Sequence, residues 1–278
     1  MTKRSAARYC IDTLKEAGFA EAESDARLLL EYIAGINRND LILKGDEELD
    51  EEVFDRLKEA VSERLRFVPV QHITGYQNFM GLEFAVNENV LIPRQDTETL
   101  VEEVLRLGLS GVDVLDMCTG SGCILLSILK YSHDFKGTGV DISDKALEVA
   151  KKNSEELGIA ASFLQSNLFE NLSKEMQFDI IVSNPPYIRS DVIPTLMEEV
   201  REHEPRIALD GEEDGLAFYR RIVGAAPEYL RHGGRLYFEI GYDQGQAVSE
   251  LMQAAGFEDI NVVKDLAGLD RVVYGEKA

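Results

Sequence analysis

Cysteine and histidine are scarce in this chain. Cys10, Cys118 and Cys123 are an odd number, and their spacing offers only a superficial C-x4-C, which argues against a disulfide framework or a thiolate metal site. Reduced thiols in a reducing compartment fit best. His72, His133, His203 and His232 are scattered, and none has a spaced partner that would suggest a metal or a catalytic dyad. Long apolar runs are missing as well: no stretch approaches the ~18 residues of a membrane span. The amino terminus, Met1-Thr2-Lys3-Arg4-Ser5, leads into a helix-like pattern rather than a signal-peptide core. An untargeted, cytoplasmic protein without membrane partners is expected. Basic charge is the last deficit, with 29 Lys and Arg against 51 Asp and Glu, a net charge of −22. Such a chain repels a phosphate backbone, so direct binding of DNA or RNA is not expected.

What is present is a chain of 278 residues, 45% hydrophobic and 29% charged, without internal repeats or low-complexity segments. It is long enough for one large domain, or a large and a small one, with a substantial core. Residues 1–70 read as helical. Ala6, Ala7, Cys10, Leu14 and Ala17 recur at helical spacing before Gly18, and a second segment starts near Ser24. Asp50 is an N-cap candidate for a third segment, in which Val53, Leu57, Val61 and Leu65 share one side until Pro69. Next, Leu82, Phe84 and Val86 alternate with Glu83, Ala85 and Asn87 between turn glycines, which predicts a β-hairpin linking two domains.

From Asp96 onward, strand candidates at 112–117, 137–142, 161–165, 178–183 and 234–240 alternate with helix candidates at 97–107, 122–131, 144–157, 215–231 and 243–255. Such alternation predicts parallel βαβ units in a doubly wound α/β sheet. The last two strands, 260–266 and 271–275, are joined too tightly for a crossover helix and should pair antiparallel. The expected domains are therefore a helical one at 1–72, a hairpin linker at 73–95 and an α/β domain at 96–278.

Two loops carry the chemistry. Asp116-Met117-Cys118-Thr119-Gly120-Ser121-Gly122 follows the first strand of the alternating region and opens a helix, the place where α/β sheets bind ligands. Asp141 ends the next strand at the offset at which an acid binds ribose hydroxyls. Two carboxylates, Asp116 and Asp141, suit a cationic cofactor better than a pyrophosphate, and Leu125 stands where a dinucleotide fingerprint would want a third glycine. S-adenosylmethionine meets these conditions; an ordinary strand-to-helix turn is the plain alternative.

The second loop, Asn184-Pro185-Pro186-Tyr187, ends an apolar strand. The Asn184 side-chain oxygen and the Pro185 carbonyl can each accept an N–H of a substrate amide or amine, orienting its nitrogen for in-line methyl transfer. The prolines fix the carbonyl, and Tyr187 offers a flat face to a planar group. A proline turn that merely closes a strand is the competing account.

With these residues in hand, the sequence resembles the protein-(glutamine-N5) methyltransferases, most closely those that modify peptide chain release factors. The resemblance runs through Pro93-Arg94-Gln95-Asp96-Thr97-Glu98, Asp116-x3-Gly120-x-Gly122, Asn184 to Tyr187, Asp214-Gly215-Leu216, Glu239-Ile240-Gly241, Lys264-Asp265-Leu266 and Asp270-Arg271. It implies a seven-stranded Rossmann-like class I methyltransferase sheet, S-adenosylmethionine as donor, and the Gly-Gly-Gln loop of class 1 release factors as acceptor. By position, Cys118, Thr119, Gly120, Ser121 and Gly122 would line the methionine part, Asp141 the ribose, and Asn167 and Leu168 the adenine. Asn184, Pro185, Pro186 and Tyr187 would hold the glutamine amide, Asn184 also facing the cofactor. The chain departs from the family at Cys118 for glycine, Gln95 for proline and Asn167 for aspartate, which implies altered cofactor affinity. Arg94 and Glu98 read either as cofactor-side residues or as an ion pair beside an Asp96 cap. Competing functions are glutamine methylation of a ribosomal protein, amino-methylation of a nucleic-acid base, and a cofactor-binding module without turnover.

Overall fold

Thr2 sits in extended backbone and its hydroxyl accepts the Ser5 N–H, which starts α1 (Lys3–Glu16). The computed structural model describes residues 1–278. α2 (Ala22–Ala34) stops at Gly35, whose φ of 64° a residue with a Cβ would resist. A capping box between Asn37 and Asp40 opens α3 (Arg38–Lys44). Asp50 caps α4 (Glu51–Arg64) through the Glu52 N–H, and α5 (Val70–Thr74) follows Pro69. Ala6, Cys10, Leu14, Leu29, Leu57 and Val61 meet in the core of this helical unit. α4 ends before Pro69 because Phe67 turns to φ 61° and packs its ring on Phe19, centroids 5.3 Å apart. Tertiary packing, not proline, stops that helix.

β1 (Tyr76–Phe79) and β2 (Leu82–Ala85) form the hairpin about Gly81. α6 (Glu98–Leu105), β3 (Asp113–Met117), α7 (Cys123–Tyr131), β4 (Lys136–Asp141), α8 (Asp144–Leu157), β5 (Ser162–Gln165) and β6 (Phe178–Ser183) follow. Then come α9 (Glu198–His203), α10 (Ala217–Tyr229), β7 (Leu230–Glu239), α11 (Gly245–Ala254), β8 (Phe257–Lys264) and β9 (Asp270–Lys277).

Residues 1–76 and 197–203 make up one unit, and 77–196 with 204–278 the other. α9 thus belongs to the helical unit: Arg64 Nη2 lies 2.7 Å from Glu199, and His203 Nε2 lies 3.1 Å from the Arg66 carbonyl. The same guanidinium pairs with buried Asp25 at 2.7 Å and stacks on Phe19.

In the second unit seven strands run in the order β5-β4-β3-β6-β7-β9-β8. β3 to β7 are parallel; β9 pairs antiparallel with β7, and β8 antiparallel with β9. Strands covered on both faces need apolar residues at every position. Leu115, Ile181 and Phe238 pack under α10, while Val114, Ile180, Val182 and Tyr237 pack under α6 and α7. β7 begins at Leu230 rather than Gly234 because Leu230 pairs with Phe178 and the next pair is Arg235 with Ile180, leaving residues 231–234 as a bulge. The preceding helix accordingly stops at Tyr229.

Candidate active site

Strand register brings the two loops together. β3 leads to β4 on one side and pairs with β6 on the other, so the switch point of the sheet lies between β3 and β6. Met117 pairs with Val140 and with Ser183, and Ser183 with Phe238. The residues that follow, Cys118, Asp141, Asn184 and Glu239, therefore stand in one row at the carboxyl edge of the sheet.

A cavity of about 320 Å³ opens over this row, within the range of small-molecule sites. Cys118, Thr119, Gly120, Ser121, Asp141, Asn167, Leu168, Asn184 and Pro186 line it, with Pro93, Arg94 and Thr97 on one side and Pro205, Ile207 and Ala208 on another. Gly122, Pro185 and Tyr187 do not line it. Gly122 is the left-handed N-cap of α7, where a Cβ would press on Ala150 and Leu126 at 3.3 Å.

Asp141 ties the glycine loop to the end of β4 by accepting the Gly120 N–H at 3.0 Å and the Ser143 N–H at 2.9 Å, one on each oxygen. Each oxygen keeps a lone pair for a hydroxyl. Burial raises its pKa, and the N–H groups of Ser143 and Gly120 oppose the rise. A Cβ on Gly120 would meet no protein atom within 4 Å, so that backbone borders open space. These features fit a ribose diol held beside a close backbone approach. Asp116 does not share the role expected of it: it is fully buried and works from beneath, accepting the Thr119 hydroxyl at 2.7 Å. Cys118 takes φ 63°, in the left-handed region that costs a residue with a Cβ about 1–2 kcal/mol. That is the physical sense of glycine being usual at this position.

Behind the second loop lies a brace. Gln244 Nε2 donates to the Tyr187 carbonyl at 3.1 Å and to the Gly215 carbonyl at 3.3 Å, while its Oε1 accepts the Gly241 N–H at 2.9 Å. The Ile188 N–H donates to the Leu209 carbonyl and the Gly211 N–H to the Ile188 carbonyl, at 3.0 and 2.7 Å. Gly211 must be glycine here, since a Cβ would sit 2.7 Å from the Tyr187 Cα. Gln244 and Asn153 carried no sequence signal. Asn153, buried on α8, donates to the Ser121 and Ala85 carbonyls and accepts the Ala85 N–H, fixing the glycine loop to the hairpin.

Several side chains are engaged otherwise than expected. Asn167 Oδ1 already accepts Arg221 Nη2 at 2.8 Å, and its amide donates to Glu170 at 2.7 Å, so one oxygen lone pair remains for an adenine amino group. Arg94 pairs with Glu204 at 2.5 Å, Glu98 accepts the Met80 N–H at 2.6 Å, and Asp96 caps nothing but lies 3.4 Å from Arg271. None of the histidines joins a metal-binding group.

Residues 5–75 match the family model described as PrmC N-terminal domain, and residues 95–203 match the Methyltransferase small domain. The chain is 44% identical over 270 residues to the release factor glutamine methyltransferase of Caulobacter vibrioides, covering 96% of this chain and 93% of that one. The protein of the same description from Geobacter sulfurreducens is 42% identical over 262 residues, covering 94% and 92%. Among solved structures, a methyltransferase from Pyrococcus furiosus aligns with a TM-score of 0.54 and 16% identity over 71% of this chain and 90% of that chain, a likeness of fold. With such identity along nearly its whole length, the chain belongs to the release factor glutamine methyltransferase family.

Proposed function

We propose that this enzyme transfers a methyl group from S-adenosylmethionine to the side-chain amide nitrogen of the glutamine in the Gly-Gly-Gln loop of class 1 peptide chain release factors. One observation carries the reading: the glycine loop with Asp141 and the Asn184 loop open into a single cavity. Family membership supports the substrate, and no helix is long and apolar enough to cross a membrane.

When bound, S-adenosylmethionine supplies an electrophilic methyl on a sulfonium. Cys118 to Ser121 would hold its methionine part, Asp141 would accept from the ribose hydroxyls, and Asn167 and Leu168 would flank the adenine. The Asn184 side-chain oxygen and the Pro185 carbonyl each accept one amide N–H. That aims the nitrogen along the transfer axis and stabilises the positive charge developing on it. Neither group needs to remove a proton, because a methylated amide bearing positive charge is strongly acidic and releases one to water. Tyr187, which does not line the cavity, turns its ring onto the planar amide when the substrate binds, and the helical unit, with α9, docks the release factor.

Incubation with S-adenosylmethionine and an unmodified class 1 release factor, followed by peptide mass spectrometry, tests the reading. A methyl on the glutamine of the Gly-Gly-Gln loop supports it. A factor left unmodified by protein that binds the cofactor rejects it, and transfers the search to ribosomal proteins or nucleic acids.

A further inference from the structure

Glu239 stands beside Asn184 in the row at the sheet edge, and nothing so far has used its side chain. It is 2% exposed and follows three buried apolar residues of β7. One oxygen, Oε1, lies 3.5 Å from the Tyr187 hydroxyl; the other, Oε2, has no hydrogen-bond partner. The Thr97 hydroxyl, on a residue that lines the cavity, faces the carboxylate and favours its charged form while standing outside hydrogen-bond geometry. A buried carboxylate with an idle oxygen is a poor way to stabilise a sheet, where an apolar side chain would do better. Its position implies another use.

We propose that Glu239 is a positioning residue for methyl transfer: its carboxylate holds the Tyr187 phenol and so sets the ring against which the acceptor amide packs. The role rests on the glutamine-amide reading above. Gln244 already fixes the Tyr187 carbonyl, so the freedom left to this residue is rotation of its ring, and Glu239 is the group that meets the ring's hydroxyl. At 3.5 Å the contact is at its long limit and tightens as the ring turns onto a bound amide.

Burial pushes the Glu239 carboxyl up to about 7. The groups around the pair are Tyr187 itself, Asp96 and Thr97 ahead of α6, Arg94, Arg271 on β9, Tyr219 on α10 and the Cys123 thiol on α7. Tyr219 donates to the Glu239 main-chain carbonyl and leaves the carboxylate free, and Arg271 favours its charged form. The protonated acid is a weaker acceptor, so turnover falls as pH drops through this range.

The test uses the full chain as wild type, Glu239→Gln, Tyr187→Phe and the double variant, in two measurements. In the first, the ring-carbon resonance of isotopically labelled Tyr187, assigned by its loss in Tyr187→Phe, is followed against pH. It is expected to move near pH 7 in the wild type and to stay flat in Glu239→Gln. In the second, methylation of an unmodified class 1 release factor is expected to show kcat about tenfold lower in Glu239→Gln, with KM for S-adenosylmethionine within about twofold. Adding Glu239→Gln to Tyr187→Phe is expected to change nothing further. A Tyr187 resonance indifferent to pH, or an equal loss of kcat from Glu239→Gln in both backgrounds, overturns the proposal. A wild type that leaves the factor unmodified overturns the functional reading and the role in turnover with it. In that event the resonance still decides whether Glu239 governs the ring.

Discussion

Replacing Asn184 by alanine removes one of two acceptors from the amide-holding pair and leaves the glycine loop untouched. Turnover is expected to fall on the order of 10²-fold or more while cofactor affinity changes far less, which single-turnover kinetics beside calorimetric titration would separate. The cysteines allow a second check at this scale. Burial raises the thiol pKa of all three, Cys10 to about 11, Cys123 to about 12, and Cys118 upward beside the Asp141 and Asp116 carboxylates. All are therefore protonated and unreactive near neutral pH. A thiol reagent is expected to titrate none quickly in the folded protein and all three in denaturant; rapid labelling of Cys118 in the folded state would contradict its placement.

Loops and strand ends, more than strand interiors, decide this site. Gly120 and Gly215 both have positive φ, at 54° and 74°, but Gly120 borders open space whereas a Cβ on Gly215 would collide with the Tyr187 carbonyl oxygen. Gly120→Ala is expected to cost about 1–2 kcal/mol from conformation alone. Gly215→Ala is expected to cost on the order of 3 kcal/mol and to lower turnover by displacing Tyr187, as denaturant melts and kcat would show. The elements themselves were largely legible in the sequence, because a sheet covered on both faces writes uninterrupted apolar runs. The run ending at Ser183 closes where expected, and α8 keeps its expected limits at 144 and 157. What stayed hidden depends on contacts distant in sequence. Phe19 packs against Phe67 where α4 ends, and Phe178 draws Leu230 into β7. Gln244 looked like any polar residue at a helix start because its partners, Tyr187 and Gly215, lie 57 and 29 residues away.

For the molecule as a whole, two buried carboxyls set a pH dependence of unusual sign. Burial raises both Asp116 and Glu239 to about 7. A raised carboxyl contributes stability that is fully present below its unfolded pKa, about 4, and lost as pH rises through its folded pKa. Thermal unfolding of wild type and Glu239→Gln at about pH 5 and about pH 8 is expected to show the variant losing less, by on the order of 3 kcal/mol. A difference between the two proteins that does not change with pH would place the Glu239 pKa in the ordinary range. The remaining feature is the path of the chain, which crosses between its units after residues 76, 196 and 203. Because Glu199 finds Arg64 in the helical unit, that unit is not a detachable module at the amino terminus but a part sewn in twice. A chimera receiving only residues 1–76 from a relative inherits a mismatched α9 and is expected to melt lower than either parent. One that exchanges 197–203 as well is expected to recover, so the two segments form one heritable cassette despite the 120 residues between them.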